Sequence, residues 1–76
     1  MTEPLEVERM PTSAGDLPRA FLLDGHRHNI RSWGRVWDNA GGRHFLVMTE
    51  SGRVFELGFD PRLRSWHLLD RQSMFS

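Results

Sequence analysis

The chain has 76 residues, with ten arginines against ten carboxylates, four histidines, and no lysine, cysteine or tyrosine. So short a chain supports one small core and no second domain. A formal charge of zero argues against a general nucleic-acid or anionic-membrane binder, which needs a basic excess. Without cysteine there is neither a disulfide framework nor a thiolate metal cage.

Hydrophobic residues make up 38% of the chain and aromatics 11%, which suits a folded domain rather than a disordered one. The longest apolar runs, Ala20 to Leu23 and Phe45 to Met48, span four residues; a bilayer span needs roughly 20. Glu3, Glu6 and Glu8 stand where a signal peptide would carry positive charge. The expected location is cytoplasmic, with no membrane partner. Arginine forks suit phosphate and carboxylate recognition, but G+C-rich coding is the plainer reason for the absence of lysine and tyrosine.

In chain order, residues 4–9 read as a first strand, with Leu5 and Val7 alternating with Glu6 and Glu8. Residues 10–18, with Pro11, Gly15 and Pro18 among small polar residues, read as a flexible linker. Arg19 to Leu23 is an apolar strand ended by the turn dipeptide Asp24–Gly25. His26 to Trp37 is the return strand, and Asp38 to Gly42 is a loop. His44 to Thr49 follows, then a tight turn with Gly52 in the left-handed region, then Arg53 to Phe59. Asp60–Pro61 breaks that strand; Trp66 to Leu69 is the last, and residues from 71 onward read as a frayed tail.

The predicted fold is all-β: a single antiparallel meander of five or six strands, forming a strongly bent sheet or partly open barrel. The proposed core is Leu5, Val7, Phe21, Leu23, Ile30, Trp33, Trp37, Phe45, Val47, Phe55, Leu57, Phe59, Trp66 and Leu68. Ile30, Trp33 and Trp37 are spaced three and four apart, which breaks the period of two. Either a bulge near Ser32 turns all three inward, or residues 32–37 form a helical turn. Failing both, strict alternation puts Arg27, Arg31, Trp33, Arg35 and Trp37 on one face.

That last set is the candidate binding face. Stacking aromatics among arginines are what single-stranded nucleic acid needs, although tryptophan in so small a domain more often belongs to the core. His26 and His28 share a strand face and are weak candidates for a metal site. Zinc would require further ligands, and a half-buried ring is the plainer reading of His28. Catalysis has little support: no serine sits in a Gly-x-Ser-x-Gly elbow, and no glycine loop precedes a helix. Glu56 lies mid-strand and should point away from the core, toward a cross-strand arginine. No cofactor is expected.

The signposts Glu3-Pro4-Leu5-Glu6-Val7, Pro18-Arg19-Ala20-Phe21, Gly25-x-x-His28-x-Ile30, Trp33 and Trp37, Phe45-x-Val47-x-Thr49, Gly52-x-x-Phe55-Glu56-Leu57 and Trp66-x-Leu68 span most of the chain. In these the sequence resembles short bacterial proteins grouped as domain of unknown function 6504. Members often carry tyrosine where this chain has His28 and Phe45. The resemblance implies a small β domain and, because related segments occur beside translesion-polymerase-like proteins, a partner in DNA metabolism. The expectation is a non-enzymatic module that binds a protein partner or itself through a sheet edge, with strand exchange at residues 10–18 as a route to a homodimer. The alternative is an accessory protein for single-stranded nucleic acid or DNA repair.

Overall fold

The computed structural model describes residues 4–13 and 15–72, and the predicted tail beyond Gln72 lies outside them. Six antiparallel strands follow one another in chain order: β1 (Pro4–Thr12), β2 (Gly15–Leu23), β3 (His26–Asn39), β4 (Gly42–Thr49), β5 (Val54–Asp60) and β6 (Ser65–Gln72). Each pairs with the next, and β1 pairs with β6 to close a barrel. The all-β meander is therefore correct, while the alternative of a partly open barrel gives way to a closed one. Among the described residues closure is brief at one seam, where Pro4 and Leu5 of β1 stand opposite His67 and Trp66 of β6.

The turns follow from local chemistry. Asp24 and Gly25 both have positive φ (55° and 79°) between the paired residues Leu23 and His26. That geometry matches the right-handed strand twist and favours Asp-Gly. Between β3 and β4 the strands continue to the pair Asn39 and Gly42, so Asp38 and Asn39 belong to strand and the loop is shorter than expected.

Residues 10–18 are not a linker. They form the end of a β1–β2 hairpin, with Arg9 opposite Pro18, Met10 opposite Leu17 and Thr12 opposite Gly15. The prolines misdirect the sequence reading because they stand where their strands have one unpaired edge. Pairing of β2 with β3 runs from Ala20 to Leu23, leaving Pro18 beyond its end. Pro11 lies past the short contact of β1 with β6. Proline is tolerated at such edges because no ladder hydrogen bond is lost. The strand-exchange route to a dimer thereby loses its hinge. Arg71 and Gln72, expected in the tail, pair with Phe55 and Val54.

The core consists of Phe21, Ile30, Phe45, Val47, Phe55, Leu57 and Trp66, with Leu5, Val7, Leu17, Leu23, Trp33, Phe59 and Leu68 packed half-buried against it. Phe21 and Phe55 meet edge to face at 5.1 Å, a preferred aromatic arrangement. Trp37 is the one residue of the proposed core that lies elsewhere. Two bulges in β3, at Ile30/Ser32 and Trp33/Arg35, explain this. Trp33 falls opposite the buried Val47, whereas Trp37 falls opposite His44 on the outer face. Neither the all-inward reading nor strict alternation holds, and no helical turn forms at residues 32–37.

Candidate binding groove

Two adjoining openings lie where β1, the β3–β4 hairpin and the β5–β6 turn meet. One hollow of about 330 Å³ is lined by Arg9, Asp16, Asp38, Arg43 and the rings of Phe45, Phe59, Pro61 and Trp66. A second, of about 650 Å³, shares Arg9, Phe59, Pro61 and Trp66 and continues past Leu5, Val7, Arg64 and Ser65. Together they form one groove beside β1.

Its floor follows from alternation along the strands. Leu5 and Val7 face inward from β1, Phe45 from β4, and Phe59 and Trp66 from β5 and β6. The Trp66 ring lies 5.4 Å from that of Phe45 and 5.2 Å from that of Phe59. Gly42 holds the β3–β4 tip against this floor. A Cβ there would stand 2.1 Å from the Phe59 carbonyl oxygen, and its φ is +123°. Glycine alone fits so close an approach at that dihedral.

The rim is charged. Arg9 pairs with Asp16 at 3.2 Å. Arg43 donates from Nε to Asp38 Oδ1 at 2.9 Å and from Nη2 to Oδ2 at 3.3 Å. Those hydrogen bonds hold the Asp38 carboxyl below its ordinary value of 3.8, against a smaller opposing effect of desolvation, and the charges of Arg43 and His44 add to the lowering. The same hydrogen bonds raise Arg43. On the β5–β6 turn, Arg62 approaches Asp60 only to 3.9 Å and is 88% exposed. Arg64 is exposed and held at φ +52°.

The residues expected to form a binding face are dispersed. Arg27 and Arg35 do lie on the outer surface with Trp37. Arg27 bonds to Glu8 and to Asn29 Oδ1, however, and Glu8 and Asn29 flank Ala20 in the register. The arginine therefore roofs a buried alanine. Arg31 is exposed at the first bulge. Trp33 is half-buried on the inner side, and its indole N–H donates to the Pro18 carbonyl at 2.8 Å. Trp37 stacks on His44 at 5.3 Å, with the Arg35 guanidinium 4.9 Å from its ring centre.

Glu56 points outward as expected, but its partner is His44 (Nδ1, 3.2 Å) rather than an arginine. His44 also meets Asn39 Oδ1 through Nε2 at 2.9 Å. His28 is the half-buried ring foreseen, stacked on Phe21 at 5.2 Å, and His26 is exposed. Among the described residues no group of three or more histidines or carboxylates is placed to hold a metal. No helix there is long and apolar enough to cross a membrane.

The chain gives no match to any family model, curated protein or solved structure with which it was compared.

Sequence reasoning missed the groove because Arg9 and Asp16 flank or fall in the supposed linker, and because the floor is assembled by the β1–β6 seam. The accessible signal was Arg62-Leu63-Arg64 after Asp60–Pro61, a turn carrying two arginines around a leucine that is 65% exposed.

Proposed function

We propose that the chain is a non-enzymatic cytoplasmic binding module that engages a protein partner by accepting an extended segment in the groove beside β1. One observation carries this reading. From Glu6 onward β1 has no strand opposite it on the β6 side among the described residues, and the apolar hollow opens along that stretch. An extended segment added there would use main-chain hydrogen bonds for affinity and the hollow for selection. The resemblance to domain of unknown function 6504 points to DNA metabolism as the setting, and a second copy of the chain is one admissible partner.

The second reading, a single-strand nucleic-acid accessory, draws on the Arg35–Trp37 contact. It is weakened by the engagement of Trp33 with Pro18 and of Arg27 with Glu8, since stacking and free positive charge are what such binding needs.

The test is selection from an unbiased displayed peptide library on the native protein and on Arg9→Trp, which fills the groove from an exposed position. A consensus enriched on the native protein and lost on the variant supports the reading. No consensus, together with a concentration-independent monomer mass in light scattering, refutes it. Salt-sensitive quenching of tryptophan emission by single-stranded DNA would favour the second reading.

A further inference from the structure

Resting on that proposal, we infer that the groove selects an extended segment with one large apolar side chain followed, toward its carboxyl-terminal end, by carboxylates. The apolar requirement comes from the floor. Leu5, Val7 and Phe59 remain half-buried although they pack on the core, and their uncovered faces line the groove together with Trp66 and Pro61. An aromatic or branched aliphatic side chain would complete their burial.

The carboxylates follow from the charges that are not cancelled. Arg9 and Arg43 each have an aspartate partner within the rim. Arg64 lines the groove without an ion pair to the described residues, and Arg62 is held only at 3.9 Å. Glu6 lies on the opposite face of β1 from Leu5 and Val7, and Glu8 is tied to Arg27. Neither faces the occupant. The groove therefore presents apolar surface next to one uncancelled guanidinium, that of Arg64, which complements an acidic residue at that end and disfavours a basic one.

Every pairing of the barrel is antiparallel, and an added strand that keeps this sense has a defined direction. A strand added antiparallel to β1 runs in line with β6 and ahead of Ser65, so its carboxyl-terminal end meets Arg64. The edge from Val7 to Met10, short of Pro11 whose nitrogen cannot donate, accommodates about four residues at roughly 3.4 Å each.

Fluorescence anisotropy with labelled synthetic peptides tests this directly. DEVFVED is expected to bind at least tenfold tighter than KKVFVKK or DEVAVED, and tighter than the same acidic peptide N-methylated at alternate amides. Arg64→Gly should weaken DEVFVED five- to tenfold with an unchanged thermal midpoint, because glycine accepts the φ of +52°. Equal binding of KKVFVKK, indifference to Arg64→Gly, or no binding of DEVFVED at millimolar concentration overturns the inference. Displacement of DEVFVED by a thymidine 12-mer also overturns it, since the groove would then be a nucleic-acid site. The library selection separates the two levels. A consensus of another charge removes this specificity and leaves the module standing, whereas no consensus removes both.

Discussion

β1 and β4 are strands of similar length, nine and eight residues, yet they are held very differently. β4 is paired along nearly its whole length on both sides, to β3 and to β5, and buries Phe45, Val47 and Thr49 on one face. β1 is paired along most of its length to β2 but, among the described residues, pairs with β6 through Pro4 and Leu5 alone. One strand is scaffold, the other presents an edge. Pairing on both sides thus runs through the β3–β6 wall, and the groove opens where pairing runs out. Local stability follows paired backbone and buried apolar surface.

The sharpest way to break this contrast is at Gly42, which clamps the scaffold to the groove floor. Gly42→Ala must relieve a 2.1 Å approach to backbone at a φ of +123°. It should cost about 3 kcal/mol or more, read as a large loss in urea midpoint. Gly58→Ala offers the control: its Cβ would meet the Leu69 side chain at 2.8 Å, which can swing aside. The expected cost is about 1 kcal/mol.

Next comes a pair of truncations. Leu57→Ala, at a fully buried position on β5, should lose about 3 kcal/mol in equilibrium unfolding. Val7→Ala, at a half-buried position on β1, should lose about 1 kcal/mol. Equal losses would mean that β1 is as much a part of the scaffold as β5.

Trp33→Phe keeps most of the apolar ring but deletes the hydrogen bond to the Pro18 carbonyl. A loss of about 1 kcal/mol is expected, with faster amide exchange in the β1–β2 hairpin than in β4.

The smallest effect is electrostatic. Asp38 titrates below 3.8 in the folded protein because Arg43 hydrogen-bonds its carboxylate. A lowered folded value means that the unfolded chain binds the proton first. The stabilisation is therefore present above the ordinary carboxylate range and is lost as pH falls through the folded value. Asp38→Asn should narrow its stability gap from the native protein on acidification, with the native Asp38 midpoint read by NMR.

Much of the fold was legible because a period of two and turn dipeptides are local signals. Phe45, Val47, Phe55 and Leu57 could be placed inside from alternation, and Asp24–Gly25 placed a turn. Trp37 could not, because the broken spacing pointed to a single bulge near Ser32, whereas a second bulge, at Trp33/Arg35, sends Trp33 and Trp37 to opposite sides. Nor could the hairpin at residues 10–18, since Pro11 and Pro18 read as breakers until the unpaired edges beside them are known. The candidate site was less legible than the fold. Arg27, Arg31 and Arg35 attracted notice through their nearness to tryptophans in sequence, whereas Arg9, Phe59, Arg64 and Trp66 come together only through the closure of β1 on β6.

That closure also governs how the molecule would respond to force. Among the described residues, tension applied to β1 away from the barrel meets the Pro4–His67 and Leu5–Trp66 pairs on one flank, and these would open in succession like a zip. β1 and β2 would then be held to β3 by the Trp33–Pro18 hydrogen bond, the Arg27–Glu8 ion pair and the ladder from Ala20 to Leu23, while β3 to β6 still carried the load.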